Sequence, residues 1–233
     1  MGTGMIGMQW IIFIGVAVVS WLVQMNLQSK FKKYSKIPTG NGMTGADVAL
    51  KMLHDNGIYD VTVTHTPGHL TDHYNPANKT VNLSESVYNS NSIMAAAVAA
   101  HECGHAIQHA HGYAPMSIRA ALVPVVNIGS NLSIPLIFLG VLLSWNQTLI
   151  QLGIWAFALT VIFQLVTLPV EFNASHRAIV KVEEYGLLGS EEVSGGKKVL
   201  TAAALTYVAG AASSALQLFR LILLYGGNRR RRD

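Results

Sequence analysis

The sequence predicts a mainly α integral membrane protein with three transmembrane helices, a candidate fourth, and a small polar region that contains short β-strands. The first observation is composition: 51% of the 233 residues are hydrophobic and only 12% are charged, whereas a typical soluble domain is about one-quarter charged. The second is that the apolar residues are gathered in long uncharged runs. A surface that faces lipid accounts for both observations, because apolar side chains are favoured there.

The first apolar run, within residues 1–26, predicts a transmembrane helix. It extends from about Ile6 to Met25 without a charge, and about 20 helical residues cross a hydrocarbon core of about 30 Å. No Lys or Arg precedes the run, and no small-residue cleavage site follows it. We therefore expect a retained helix rather than a cleaved signal peptide.

Residues 27–118 form the main polar region. Thr44 is a residue type that begins helices, and Asn56-Gly57 is a stop signal. Alternating β-branched residues predict short strands. The predicted elements are, in order, a short helix after Thr44, strands over 61–63 and 79–83, and a long alanine-rich helix over 92–110.

Two further apolar runs, within residues 119–170, predict a transmembrane hairpin. Neither run contains a charged residue, and the only polar stretch between their cores is Asn146 to Thr148. Such a short connection favours two antiparallel neighbouring helices.

The remainder of the chain is a polar segment over 171–198, an apolar helix over 199–225 and a basic tail over 226–233. The apolar helix is interrupted by Arg220. We interpret it either as a fourth span or as a helix associated with the membrane surface.

Basic residues near the ends of the predicted spans indicate the orientation. Four lysines follow the first apolar run, and four basic residues follow the third. Both clusters put the polar regions, 27–118 and 171–198, in the cytoplasm and the N-terminus outside. A complete fourth span would put the arginines of the tail outside, which favours a helix over 199–225 that does not cross completely.

The long helix over 92–110 contains the segment His101-Glu102-Cys103-Gly104-His105. Residues four apart share one helix face about 6 Å apart, so His101 and His105 can present two imidazoles to one ion. A zinc ion with three protein ligands keeps its fourth position for water and lowers the pKa of that water toward ~7. The H-E-x-x-H order therefore predicts a zinc site in which Glu102 is the general base.

Two histidines at this spacing can also be ordinary surface or core residues. Two features favour a metal site: Gly104 would let another element approach closely, and His101 and Glu102 directly follow six apolar residues. Polar side chains in such surroundings are costly unless something binds them. His109 continues the spacing, but one helix face rarely supplies three ligands. Cys103, the only cysteine, is expected to be a packing residue.

The candidate third ligand is Glu171, at the end of the third apolar run. A carboxylate at that position is costly without a partner, although it could also be an interfacial residue that marks a helix end. Ser175, four residues on, could hydrogen-bond a metal-binding histidine. Arg177 could pair with Glu171, stabilise the oxyanion formed during amide attack, or be a plain interfacial arginine. His176 is a further candidate for stabilising the ligands or the transition state.

Several segments resemble the YugP-like neutral zinc metallopeptidases of bacterial membranes, and together they extend over nearly the whole chain. The segments are Val98 to His109, Leu168 to Ala178, Leu70 to Pro76 and Ala204 to Ala209. The sequence is also, more distantly, similar to the HtpX and CAAX-prenyl-protease group of integral membrane gluzincins.

The resemblance implies a zinc metallopeptidase with one Zn²⁺ per chain, held by His101, His105 and Glu171 in a small gluzincin-like catalytic region. The wider group usually has an acidic residue four positions after the glutamate, where this chain has Ser175. We therefore expect the contacts around the ligands to be weaker or differently arranged.

We accordingly expect a metalloendopeptidase of the bacterial cytoplasmic membrane, with its active site facing the cytoplasm. The expected partners are the lipid bilayer, a protein or peptide substrate and other proteins of a membrane complex, with no nucleic acid. The strand near Val81 to Leu83 is expected to offer an edge to an extended substrate.

Two alternatives belong to other functional classes. One is an adaptor that keeps zinc for structure, which Glu102 disfavours because a structural site needs no base. The other is a transporter component, which the uncharged spans disfavour.

Overall fold

The computed structural model describes residues 3–225, so the predicted basic tail over 226–233 lies outside the described residues. The elements are, in order, α1 (Thr3–Tyr34), α2 (Gly45–Asp55), β1 (Thr62–Thr66), β2 (His73–Asn75), β3 (Thr80–Ser84), α3 (Glu85–Tyr88), α4 (Ile93–Ala110), α5 (Ala114–Leu142), α6 (Gln147–Glu184) and α7 (Ser190–Tyr225).

Four helices are long and apolar enough to span a membrane: α1 from Trp10 onward, α5, α6 and α7. The first three agree with the predicted spans, and α7 has the length and composition of the candidate fourth. All four helices also extend beyond their apolar runs, because a helix can continue where the polar groups of its further turns are satisfied. In α1, Lys32 and Lys33 occupy the last turn, where positive charge is favourable.

The chain divides into two compact units, of which the first contains the described parts of Met1–Leu22, Ile118–Thr167 and Tyr207–Asp233. In this unit α5 and α6 form the predicted hairpin. Its helices approach closely at two glycines: a Cβ on Gly140 would lie 2.7 Å from Ile150 Cγ1, and one on Gly153 would lie 2.6 Å from Ile137 Cγ1. Small residues at such contacts are the usual means of helix association in lipid.

The end of α7 lies beside the turn between α5 and α6. Gln147 Nε2 donates to the carbonyl oxygen of Tyr225 at 3.0 Å, and the rings of Trp145 and Tyr225 stack with centroids 6.1 Å apart. Further back along α7, the hydroxyl oxygens of Ser20 and Ser213 are 3.2 Å apart. In this unit α7 therefore runs alongside the other long helices and reaches the same end as the hairpin turn.

The second unit contains Val23–Ser117 and Leu168–Thr206, and its sheet has the order β1-β3-β2. Strand β3 pairs with β1 in parallel and with β2 in antiparallel register. The expectation that the strand near Val81 to Leu83 offers an edge is therefore wrong, because both of its sides are paired. Strand β2 was not predicted, because its three residues are too few to give an alternating pattern.

Helix α4 lies at the centre of the second unit's core. Its residues from Ile93 to Ala100 are all buried, and the small alanine side chains allow α2 to pack closely against it. The Ser92 hydroxyl accepts from the Ala95 amide at 3.2 Å and begins α4. Helix α2 begins with a capping box between Thr44 and Asp47. The start of α2 agrees with the residue type that predicted it.

Candidate metal centre

The candidate site lies where α4 crosses α6, at Gly104. A Cβ on Gly104 would lie 2.5 Å from the carbonyl oxygen of Ala174, so the close approach expected at this glycine is present. Residue numbers rise along α4 as those of their partners fall along α6: His101 contacts Ser175, and Gln108 contacts Val170. The two helices are therefore antiparallel at the crossing.

The crossing brings His101, His105 and Glu171 together. Their ligand atoms all lie within 4.8 Å of one another. Glu171 Oε2 is 3.2 Å from His101 Nε2 and 3.6 Å from His105 Nε2. Tetrahedral zinc with bonds of 2.0–2.1 Å separates neighbouring ligand atoms by roughly 3.3 Å. The two separations from Glu171 Oε2 are therefore close to the spacing of zinc ligands.

The site is buried and favours positive charge. Glu171 is 3% exposed and His105 is 7% exposed. Burial by itself lowers the pKa of His105, but the hydrogen bond with Glu171 and the negative charges of Glu102 and Glu171 outweigh burial, so the pKa is raised above its usual value. A proton on His105 or a metal cation beside it would compensate the negative charge of the buried Glu171 carboxylate.

The second nitrogen of each histidine is held by a different side chain. His101 Nδ1 is 3.1 Å from the Ser175 hydroxyl, the contact expected for Ser175. His105 Nδ1 is 3.0 Å from Oε1 of Gln108, a residue that sequence reasoning did not single out. Both rings thus turn Nε2 toward Glu171, as outer contacts commonly orient metal-binding histidines.

The carboxylate of Glu102 lies at the edge of the sheet. Its Oε2 accepts the backbone N–H of Tyr74, in β2, at 3.0 Å. Within the described part of the chain, Oε1 of Glu102 receives no hydrogen bond. The Tyr74 hydroxyl contacts His109 Nδ1 at 2.7 Å. One oxygen of this buried carboxylate is therefore anchored, and the other is available to a proton donor.

The remaining predicted residues lie around this centre. Arg177 donates through Nε to Asn173 Oδ1 at 2.7 Å and has Nη1 3.4 Å from His111 Nδ1; the pairing with Glu171 is not among the described contacts of Arg177. His176 is exposed. Cys103 is fully buried and its thiol points to the Ala49 carbonyl, in agreement with a packing role.

Three residues with close contacts in this region were not predicted as parts of the site: Tyr74, Gln108 and Asn173. Gln108 had a usable signal, because it lies three residues after one histidine and seven after the other on a buried, alanine-rich helix. Tyr74 and Asn173 had no comparable spacing, since their contacts are made across separate elements.

Comparisons with known proteins identify the family to which the chain belongs. The model of the family described as "Putative neutral zinc metallopeptidase" matches residues 9–226. A protein of Bacillus subtilis (strain 168), "Putative membrane protease YugP", is 46% identical over 216 residues, which cover 92% of this chain and 96% of that protein. No solved structure matches the chain. The resemblance inferred from the motifs is confirmed, and the chain belongs to the family described as "Putative neutral zinc metallopeptidase".

Proposed function

We propose that this protein is a zinc-dependent endopeptidase that hydrolyses peptide bonds of membrane or membrane-proximal proteins. One observation carries the proposal: His101 Nε2, His105 Nε2 and Glu171 Oε2 converge at the spacing of zinc ligands. The family membership and the named membrane protease relative support the same class of reaction.

The number of ligands favours catalysis over a purely structural ion. Structural zinc sites have four protein ligands, whereas catalytic sites have three and keep one position open. The clustered ligands in the described chain are three: His101, His105 and Glu171. A zinc ion bound there supplies Lewis acidity, which lowers the pKa of water toward ~7 and polarises the peptide carbonyl.

Glu102 acts as the general base. The N–H of Tyr74 holds one carboxylate oxygen, so the other oxygen keeps a defined direction for accepting a proton from the attacking water. After the tetrahedral intermediate forms, Glu102 returns that proton to the leaving nitrogen. Burial of Glu102 to 8% exposure keeps competing water away during both transfers.

Strand β2, rather than β3, meets the extended substrate. It is an outer strand of the sheet, and the backbone of its central residue, Tyr74, contacts Glu102 directly. Because Glu102 takes the N–H of Tyr74, a peptide lying along this edge would pair through the Tyr74 carbonyl oxygen and would have its backbone beside the base. A proline-interrupted peptide should bind more weakly than its unbroken counterpart, and equal inhibition constants would contradict this binding mode.

Sequence position supports substrates at the membrane surface. Glu171 directly follows the apolar part of α6, a helix long and apolar enough to span a membrane. The lysines that follow the first and third apolar runs support a site on the cytoplasmic side. Other proteins of a membrane complex are further candidate partners that deliver or recruit substrate.

The function is tested with purified protein in detergent, by comparing the wild type with Glu102→Gln. We expect the wild type to contain one zinc per chain and to cleave casein, and cleavage to stop with a chelator and return with zinc. The variant should keep its zinc and lose at least about 100-fold in rate, the lower contribution of a general base. Equal cleavage by both proteins would contradict the role of Glu102, and zinc without cleavage in either would favour the adaptor.

A further inference from the structure

We propose that Arg177, Asn173 and Gln108 form a hydrogen-bond relay that fixes the tautomer of His105. The relay keeps the ring proton on Nδ1 and leaves the Nε2 lone pair for the metal. This inference rests on the proposed zinc site and extends it to three positioning residues with no contact to the reacting atoms. It also gives Arg177 a role different from pairing with Glu171 or stabilising an oxyanion.

The relay begins at a group that can only donate. The Arg177 guanidinium has no acceptor atom, and its Nε lies 2.7 Å from Asn173 Oδ1. That atom must therefore be the carbonyl oxygen of the Asn173 amide. Gln108 Nε2 lies 3.0 Å from the same oxygen. Because that oxygen can only accept, the Gln108 amide must donate to it.

A second fixed group requires the same orientation of Gln108. The backbone carbonyl oxygen of Val170 can only accept, and it lies 2.8 Å from Gln108 Nε2. Both hydrogens of the Gln108 amide are thus used. Rotating this amide by 180° would bring its oxygen against two other oxygens, those of Val170 and Asn173.

Only Oε1 of Gln108 is left to face His105, at 3.0 Å from Nδ1. Because an amide oxygen accepts, His105 Nδ1 must carry the proton. A neutral imidazole has a single N–H, so Nε2 keeps its lone pair on the side of Glu171, 3.6 Å away. The Arg177 guanidinium and the Val170 carbonyl oxygen independently require this same arrangement of hydrogens.

Burial makes the relay rigid and distinguishes the two histidines. Gln108 is 0% exposed, and burying an amide without hydrogen-bond partners is costly, which disfavours any arrangement that breaks its bonds. The corresponding partner of His101 is the Ser175 hydroxyl, which can either donate or accept. Ser175 therefore orients its ring without fixing the tautomer, whereas the relay does both for His105.

The test compares two substitutions of Asn173 in the full-length protein, with zinc affinity measured by competition against a chelator. Asn173→Asp keeps an acceptor for both Arg177 and Gln108, so we expect zinc affinity within about threefold of wild type. Asn173→Leu removes the acceptor, and Gln108→Met removes the link to His105. Each should weaken zinc binding about 10- to 100-fold, as loss of groups that orient metal ligands does.

A role in packing alone predicts the opposite order, because leucine fills the space while aspartate adds a charge. Gln164→Met is the matched control: Gln164 is on α6, and its buried Oε1 has no hydrogen bond within the described part of the chain, so zinc affinity should not change. Melting temperatures check that every variant is folded. If Asn173→Leu fails to fold, Arg177→Met removes the first donor at a half-buried position and should weaken zinc binding at least about threefold.

Unchanged zinc affinity in Asn173→Leu or Arg177→Met would overturn the relay, as would an Asn173→Asp protein as weak as Asn173→Leu. If the wild type binds zinc and cleaves casein while all variants bind zinc equally, the relay alone is wrong. If the wild type binds no zinc, the relay and the proposed function are both wrong.

Discussion

Replacing Gly104 with alanine tests whether the crossing of α4 and α6 sets the metal geometry. The added Cβ would lie 2.5 Å from the Ala174 carbonyl oxygen and 3.2 Å from its Cα. Carbon–oxygen contacts are normally about 3.3–3.6 Å, so the helices must separate by about 1 Å. Metal sites tolerate about 0.2 Å in ligand distance, and the histidines lie on α4 while Glu171 lies on α6. We expect Gly104→Ala to weaken zinc binding at least about 100-fold.

The separation should also destabilise the fold by about 1–3 kcal/mol, the usual cost of overpacking. Zinc affinity is measured by chelator competition, and stability by thermal melting of the zinc-free protein. Gly210→Ala is the control, because a Cβ on this helical glycine of α7 meets no atom of residues 3–225 within 4 Å. Wild-type zinc affinity in Gly104→Ala would refute the argument that this close crossing is required.

Three further predictions concern separate parts of the second unit. Glu171→Ala should reduce zinc occupancy to near zero at micromolar free zinc, whereas full occupancy would mean that another residue is the third ligand. The pKa of His105 is raised in the metal-free fold. The protonated imidazole therefore stabilises the fold below the pKa of about 6.5 in the unfolded chain, and this stabilisation is lost as the pH rises through the pKa of His105 in the folded protein. The melting temperature of the zinc-free protein should therefore fall as the pH rises above about 6.5. Zinc binding displaces a proton from His105, so it should strengthen over the same range. The reverse trend in either measurement would count against His105 as a zinc ligand. Thr44→Ala should cost about 1 kcal/mol by removing the capping box with Asp47 and leave zinc affinity unchanged; a change in affinity would mean that this cap supports the site.

Much of the site's geometry could be predicted because it depends on spacing within single helices. His101 and His105 are four residues apart on α4, and Glu171 and Ser175 are four residues apart on α6. Helical periodicity turns each pair toward one side. The small Gly104 then indicated that another element comes close, although not which one.

The contacts of Gln108 with α6, and those of Tyr74, could not be predicted in the same way. The three acceptor and donor groups around Gln108 belong to two helices, and their meeting depends on the antiparallel crossing. Tyr74 reaches Glu102 from a three-residue strand, which is stabilised by pairing with β3 rather than by a local pattern. For the same reason β3 was expected at an edge, although it is the central strand.

The long helices were predicted from their apolar runs, but their ends were not. Helix α6 continues through Pro169 and Glu171 to Glu184, because a proline inside a long apolar helix can be accommodated by its surroundings. Hydrophobicity marks the segment that lipid favours, whereas the end of a helix depends on caps and charges outside that segment.

X-ray absorption of the zinc-loaded wild-type protein tests the central claim most directly. With His101, His105 and Glu171 as ligands, the first shell should contain nitrogen and oxygen at about 2.0–2.1 Å, with the outer-shell scattering of two imidazoles and no sulfur near 2.3 Å. A zinc–sulfur distance would implicate Cys103. A third imidazole would implicate another histidine, and either result would contradict the metal centre described at the crossing of α4 and α6.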